Sequence, residues 1–161
     1  HVDLFRELAL WAGCIDLLGF SRMTKIKRRW LMKSEPDAYS WDDLVAEGEG
    51  TWDGVRNHRA ANNLRVMEVG DEAFFYHSNI GKEVVGIITI SQAGLTDPTD
   101  PEGKWAAVKV KPVRKVARPV TLAAIKANPA LAECELIRLS RLSVAELTEG
   151  EWAEMLRMAG E

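Results

Sequence analysis

The stretch TWDGVRNHRAANN, residues 51–63, places a tryptophan, an aspartate, two arginines and three asparagines between two segments of core-forming sequence. Gly54 directly follows Asp53, which indicates a turn. From Arg56 onward apolar residues recur at the spacing of a helix, namely Ala60, Leu64 and Met67. The stretch therefore predicts a loop that leads into an amphipathic helix.

Two interpretations of this loop remain open on the residues alone. Arg56, Arg59 and Asn63 share a face of the predicted helix, and Trp52 lies just before them. A planar ring beside guanidinium and amide groups is how proteins contact nucleobases. The alternative is that Trp52 belongs to the core and that the polar set faces solvent, as is usual for single aromatic residues.

The composition indicates one globular domain that carries no general positive field. The chain has 161 residues and a formal net charge of −3, so nucleic-acid contact requires a local basic patch. No apolar run approaches the ~20 residues of a membrane helix, and no membrane partner is predicted. Cys14 and Cys134 lack neighbours at metal-ligand spacing, so the sequence predicts no metal and no cofactor. Two lone thiols are typical of a cytoplasmic protein.

Residues 1–22 differ from the rest of the chain. Their apolar residues approximate an amphipathic helix, whereas Met23 and the basic residues after it resemble an ordinary bacterial start. We interpret residues 1–22 as an extension, from an upstream start or an artificial addition, and residues 23–161 as the domain.

The remaining chain mixes strands with short helices and lacks a regular alternation of the two. Capping boxes at Ser40/Asp43 and Thr148/Glu151 predict helix starts, and Thr121 caps a third short helix. One predicted strand starts with residues 30–32 and is ended by residues 34–36. The others cover residues 72–78, 84–90, 105–113 and 136–142, with an exposed loop at 97–103. The pattern favours an α+β fold with a mostly antiparallel, barrel-like sheet surrounded by short helices.

The densest basic patch lies on the strand predicted at residues 105–113 and directly after it. It contains Lys109, Lys111, Arg114 and Lys115, which we predict to contact nucleic-acid phosphates. The alternative is a solvated strand edge, where lysines protect against aggregation.

Motifs for catalysis are not found. His77 and Ser78 are adjacent on a predicted strand, so their side chains point to opposite faces and cannot form a dyad. Nucleotide-binding glycine loops and zinc-protease motifs are absent from the sequence. The sequence therefore gives no support to an enzyme.

Several motifs, in order, resemble the EVE domain, a member of the PUA-like superfamily. They cover roughly residues 29–156 and are WLMKSEP (30–36), YSWDDL (39–44), WDGVRN (52–57), VGDEAFFYHSN (69–79), VVGI (84–87) and RLSV (141–144). The resemblance implies a PUA-like β-barrel with helices around it and a pocket for a flipped, modified base such as 5-methyl- or 5-hydroxymethylcytosine.

The resemblance also implies which residues bind this base. By position, one side of the pocket would be Lys33, Ser34 and Glu35, the loop over it Trp52, Val55, Arg56 and Asn57, and another wall Tyr76, His77 and Ser78. Strand alternation places Tyr76 and His77 on opposite faces, so both reach one pocket only if the strand ends or bulges there. Two departures from the family are HRAANN after Asn57 and a short loop at residues 97–104.

The resulting prediction is a non-catalytic module that reads a methylated or hydroxymethylated base, in DNA rather than RNA. The alternative is a small enzyme or metabolite-binding protein that acts in RNA processing on the same barrel, since a fold does not fix a function.

Overall fold

The structure, a computed structural model, describes residues 27–161, so the helix predicted within residues 1–22 lies outside the described part. The strands are β1 (Arg29–Ser34), β2 (Gly50–Trp52), β3 (Glu72–His77), β4 (Glu83–Thr96), β5 (Ala106–Thr121) and β6 (Val144–Leu147). The helices are α1 (Trp41–Glu47), α2 (His58–Val66), α3 (Leu122–Lys126), α4 (Glu135–Arg138) and α5 (Glu149–Met158), with a 3-10 turn at Pro129–Leu131.

The strands form one mixed sheet in the order β2-β5-β4-β3-β1-β6. All neighbours pair antiparallel except β1 and β3, which run parallel. The hairpin predicted from the two central strands is confirmed as β3–β4. The α+β class is therefore confirmed.

The predicted closed barrel is wrong, because the sheet stays open between β2 and β6. Both edge strands are short, and each pairs on one side only within residues 27–161. Helix α2 packs against β4, β5 and β6, so it fills the gap across which the edges would have to meet.

The sheet separates two hydrophobic cores. The first core contains Trp30, Met32 and Phe75 together with the buried sides of α1 and α2. The second contains Leu31, Phe74 and the buried residues of α3, α4 and α5, where the ring of Phe74 stacks on Trp152 at 4.0 Å. Successive residues of β1 and β3 alternate between the cores, as a strand buried on both faces requires.

Helix α1 approaches the sheet closely because of Gly86. A Cβ atom at Gly86 would lie 2.4 Å from the ring of Trp41, which is 5% exposed. The same ring meets Phe75 edge-on at 5.6 Å between centroids. A glycine in β4 is therefore what allows the indole of α1 to pack on the strands.

Local capping signals were reliable. The capping boxes at Ser40/Asp43 and Thr148/Glu151 are both present, and Thr121 caps α3, so these three predictions are confirmed. No helix of residues 27–161 has the length and apolarity that crossing a membrane requires.

Other predictions of secondary structure are wrong. The strand predicted at 136–142 is instead α4 and a turn, because Leu136 and Leu142 enter different cores. The sequence also missed β2, a three-residue strand within the predicted loop region. Strand β5 continues past Pro112, whereas the sequence predicts its end at residue 113. Proline has no backbone N–H, but β2 pairs only with residues 108–110, so no strand on that side of Pro112 requires a hydrogen bond from it.

Candidate functional site

A cavity of about 940 Å³ opens where β1 ends, beside β2 and the loop of residues 53–57. Its lining residues are Lys33, Ser34, Glu35, Ala38, Tyr39, Glu47, Glu49, Thr51, Trp52, Asp53, Gly54, Val55, Arg56, Asn57 and Ser143. The structure therefore brings seven of the ten predicted ligand-binding residues to one cavity. They come from the end of β1 and the residue after it, from the end of β2, and from the loop that leads into α2.

A buried carboxylate, Asp97, fixes the shape of this loop. Its Oδ2 accepts hydrogen bonds from the Gly54 backbone N–H at 2.7 Å and from Arg56 Nη1 at 2.8 Å. Its Oδ1 accepts from the backbone N–H and the hydroxyl of Thr99, both at 2.7 Å. Burial alone would raise the pKa of Asp97, but the donors from Arg56, Thr99 and Gly54 together hold this pKa well below its usual range.

The exposed loop predicted at 97–103 is consequently wrong at its first residue, since Asp97 is 1% exposed. The polar residues and prolines after Asp97 are typical of an exposed loop, so the burial of its carboxylate was not predicted. The turn at Gly54 is confirmed, with φ +77°. Open space surrounds the position of a Cβ at Gly54, so backbone conformation alone requires the glycine.

Arg56 and Asn57 both have structural partners at the wall of the cavity. The guanidinium of Arg56 lies 5.5 Å from the centroid of the Trp105 ring, in addition to its bond with Asp97. The side chain of Asn57 caps α2 by accepting a hydrogen bond from the Ala60 N–H at 2.9 Å. These contacts hold both side chains in place before any ligand arrives.

Trp52 and Val55 are core residues whose outer atoms reach the cavity. Each is 7% exposed, and the Trp52 ring meets Phe75 edge-on at 5.6 Å between centroids. The two interpretations of Trp52 are therefore not exclusive, because the indole belongs to the first core and also lines the cavity.

The three predicted residues at the end of β1 differ in their bonding. Lys33 Nζ donates to the Ser140 carbonyl at 2.9 Å, and burial lowers the pKa of Lys33. Ser34 Oγ donates to the Tyr39 carbonyl at 2.6 Å. The Glu35 carbonyl accepts the N–H groups of Ala38 and Tyr39, which closes the turn and leaves the Glu35 carboxylate exposed at the cavity.

Carboxylates outnumber cations on the cavity lining. The acidic residues are Glu35, Glu47, Glu49 and Asp53, against Lys33 and Arg56. Glu47 accepts a short hydrogen bond from Tyr39 Oη, and Glu49 accepts from Ser91 Oγ at 2.6 Å. Burial, and then the negative charge of Asp97, raise the pKa of Asp53. Acceptor groups rather than phosphate-binding cations therefore dominate the interior.

Sequence reasoning did not assign several of these lining residues. Tyr39, Glu47, Glu49, Thr51, Asp53, Gly54 and Ser143 all reach the cavity. Gly50 allows the Tyr39 ring to lie over β2, since a Cβ there would lie within 3.2 Å of the Leu44 side chain and collide with the Tyr39 hydroxyl. Gly50, directly before Thr51, could have indicated that another side chain packs closely on this stretch, but β2 was not predicted as a strand.

Tyr76, His77 and Ser78 are not among the residues that line this cavity. Tyr76 is 3% exposed in the second core, and its burial raises the pKa of its hydroxyl. His77 Nε2 accepts the Trp41 N–H at 3.1 Å, and burial lowers the pKa of His77. The register shift beside Tyr76 places an extra residue, Val85, in β4, so alternation along β3 is preserved.

The four basic residues of β5 do not form one patch on the cavity side. Val108 and Val110 face the first core, so Lys109 and Lys111 point to the opposite face of the sheet. Arg114 is paired with Glu161 at 2.9 Å. Lys115 lies opposite Gly86 in the register, where its charge acts on His77.

Residues 27–161 contain no group of three or more His, Cys, Asp or Glu side chains that could hold a metal ion. Cys134 is buried in the second core, and burial raises the pKa of its thiol.

Known proteins share this fold. The family model described as the EVE domain matches residues 28–158. Human thymocyte nuclear protein 1 is 34% identical over 170 aligned residues, which cover 84% of this chain and 76% of the human protein. An NMR structure of a Rhodopseudomonas palustris protein, 48% identical, matches with a TM-score of 0.79 over 83% of this chain and 93% of that chain.

A further match is a crystal structure of the human THYN1 protein in complex with DNA that contains 5-methylcytosine. It is 32% identical, with a TM-score of 0.78 over 84% of this chain and 99% of that chain. The family resemblance of the sequence motifs is thereby confirmed, and this chain belongs to the EVE domain family.

Proposed function

We propose that this chain binds DNA containing 5-methylcytosine, without catalysis, by accepting the base in the cavity beside residues 53–57. The observation that carries the proposal is the cavity of about 940 Å³, which lies at residues 53–57, within the part of the chain that matches the family. The human relative that was crystallised with 5-methylcytosine DNA supports this ligand. A base must leave the duplex to enter such a cavity, and a base-flipping reader gains selectivity from the contacts made there.

The polar lining fits the edge of cytosine. Cytosine presents an amino group that donates hydrogen bonds, and aspartate or glutamate is a suitable acceptor. Tyr39 and Ser91 already donate to Glu47 and Glu49, whereas no side chain of residues 27–161 donates to Asp53 or Glu35. Asp53 lies between a buried tryptophan and the glycine held by Asp97, so we assign it as the acceptor.

Apolar atoms beside this acceptor would contact the base itself. The outer atoms of Trp52 and Val55, and the ring of Tyr39, line the same cavity. A methyl group at position 5 of the base favours apolar contact, as the thymine methyl does in other complexes. We assign Lys33, Ser34, Arg56 and Asn57 to the polar frame that holds these groups in position.

The direct test is a titration against matched oligonucleotides. Duplex and single-stranded forms would carry cytosine, 5-methylcytosine, 5-hydroxymethylcytosine or N6-methyladenine at one position, with binding followed by fluorescence anisotropy at two salt concentrations. We expect the tightest binding for the 5-methylcytosine duplex. Equal affinity for all oligonucleotides would contradict the proposal and direct the search to small metabolites.

A substitution tests the assigned acceptor. Asp53→Asn should lower affinity for the 5-methylcytosine duplex by roughly 1 kcal/mol, because a neutral amide oxygen accepts a weaker hydrogen bond from the base than a carboxylate does. Asp37→Asn is the matched control, since Asp37 is exposed and does not line the cavity. An unchanged affinity of Asp53→Asn would remove this residue from the reading of the base.

A further inference from the structure

A second concave surface adjoins the base cavity. It has a volume of about 320 Å³ and is lined by Asn57, Arg59, Leu139, Ser140, Arg141 and Leu142. Asn57 lines both concavities, and Ser143 of the base cavity directly follows Leu142. A ligand that fills the base cavity therefore has a neighbouring surface with two arginines.

Arg141 differs from the other arginines of residues 27–161. Each of those donates to a carboxylate, a side-chain oxygen or a backbone carbonyl. Arg141 is exposed and has no hydrogen bond or ion pair with this part of the chain. Its five N–H donors and permanent charge are thus available to an anion.

The turn that carries Arg141 is held on both sides. Lys33 donates from its backbone N–H to the Ser143 carbonyl and from Nζ to the Ser140 carbonyl, both at 2.9 Å. Leu142 is buried in the first core, and its N–H donates to the Leu139 carbonyl at 2.9 Å. Little backbone conformational freedom would therefore be lost on binding, which favours affinity.

Arg59 is fixed at the other wall by one carboxylate. Its Nη2 lies 2.6 Å from Glu135 Oε2, while Glu135 Oε1 accepts the Glu146 N–H at 3.0 Å. The Arg59 side chain is still 57% exposed, and its remaining N–H groups have no partner in the described chain. Glu135 offsets part of the charge of Arg59, so the uncompensated charge at this surface is that of Arg141.

We propose that Arg141, with Arg59 beside it, binds the backbone phosphates next to the nucleotide whose base enters the cavity. The inference rests on the proposed function. A flipped base leaves its sugar and phosphates at the mouth of the cavity, and guanidinium groups match phosphate oxygens with paired donors. This surface adjoins the cavity through Asn57, whereas Lys109 and Lys111 line neither concavity.

The test compares Arg141→Ala with Arg141→Lys and with the control Arg138→Ala. Arg138 is an exposed arginine three residues earlier that donates to the Glu133 carbonyl and does not line either concavity. Each variant would be titrated against a 5-methylcytosine duplex and the unmodified duplex of the same sequence, across a series of salt concentrations. Urea denaturation would establish that each variant is folded.

We expect Arg141→Ala to weaken binding of both duplexes by about tenfold, with the ratio between them unchanged. The slope of log affinity against log salt should become shallower by about 0.9, because one phosphate contact is lost. Arg141→Lys should keep the wild-type slope, since lysine retains the charge, and Arg138→Ala should match the wild type.

A wild-type salt slope for Arg141→Ala would overturn the inference while leaving base preference intact. Lys111→Ala would be titrated in the same salt series, and a shallower slope in that variant alone would overturn the inference too, because it would place the phosphate contact on β5. If the wild type shows no base preference, the proposed function fails, but a shallower slope for Arg141→Ala would still support the phosphate site. A wild-type protein that binds neither duplex would overturn both.

Discussion

At the residue scale, Asp97 holds the loop of the base cavity although it does not line the cavity. Its two oxygens accept four hydrogen bonds, two of them from the loop of residues 53–57. Because the carboxylate is buried, little water screens its charge, and each hydrogen bond to it is stronger than it would be at the surface. The position of the loop therefore depends on one ionised side chain.

Replacing Asp97 by asparagine should destabilise the protein. Every partner of the Asp97 carboxylate is a donor, so the new amide nitrogen would face donors instead of accepting from them. We expect a loss of about 1–3 kcal/mol in the free energy of unfolding, measured by urea denaturation. Thr99→Val, which removes one hydroxyl donor, should cost about 0.5–1.5 kcal/mol. Wild-type stability of Asp97→Asn would contradict this account.

His77 gives a dependence of stability on pH. Burial lowers its pKa in the folded chain, and its Nε2 accepts the Trp41 N–H only when unprotonated. Its contribution to stability is therefore present above the unfolded pKa of about 6.5 and is lost as the pH falls through the lower folded value. We expect His77→Gln to reduce the change in unfolding free energy between about pH 7 and pH 5. An unchanged pH profile in that variant would assign the dependence to other groups.

Single residues show where sequence reasoning about the site succeeded and where it could not. Residues that lie close together in one motif, such as Trp52 and Arg56, were found because a short stretch of sequence contains them both. Asp97 and Ser143 act on the same site from distant positions, and only the pairing of β2 with β5 and of β1 with β6 brings them there. Nothing in their local sequence marks them as part of a site.

At the scale of elements, the contact of α1 with the sheet depends on one missing side chain. Gly86→Ala would place a methyl group 2.4 Å from the buried Trp41 ring, so the helix or the strand must shift. We expect a loss of about 1–3 kcal/mol in unfolding free energy, as for other overpacked cores.

The matched control for this packing effect is Gly150→Ala. Gly150 lies in the first turn of α5, and its nearest neighbour to a Cβ is the Thr148 hydroxyl at 3.9 Å. This change should leave stability unchanged or raise it by up to about 1 kcal/mol, since alanine favours a helix. Equal effects of both substitutions would refute the steric explanation.

Elements with strong local signals were predictable, and those set by packing were not. Side-chain caps fix the starts of α1, α3 and α5 within three residues of sequence. Residues 135–142 carry an irregular apolar pattern, which is divided between two cores and therefore has no strand period. Strand β2 depends on its pairing with β5, a contact that local sequence does not encode.

At the scale of the whole molecule, ligand binding should raise thermal stability. A ligand that binds only the folded chain raises the free energy of unfolding by about 2.7 kcal/mol when its free concentration is one hundred times its dissociation constant. We expect the 5-methylcytosine duplex to raise the melting temperature more than the unmodified duplex at equal concentration, in a thermal-shift assay. Equal shifts would indicate binding through the backbone alone.

The overall architecture was predictable as a class but not in its closure. Alternating strands and capped helices led to the α+β assignment. Whether the sheet closes depends on what lies between its edges, and the packing of α2 against β5 and β6 settles this in favour of an open sheet.

The pairing of β1 with β6 has a consequence for how the chain folds as it is made. Arg29 pairs with Leu147, so one edge of β1 stays unpaired until residue 147 has been synthesised. At typical translation rates that interval is on the order of ten seconds. During it, the exposed strand edge could pair with other chains, and contacts so distant in sequence form slowly. Residues 140–147 both protect this edge and bring Ser143 and Arg141 to their places, so the two concave surfaces are complete only after that segment has been synthesised.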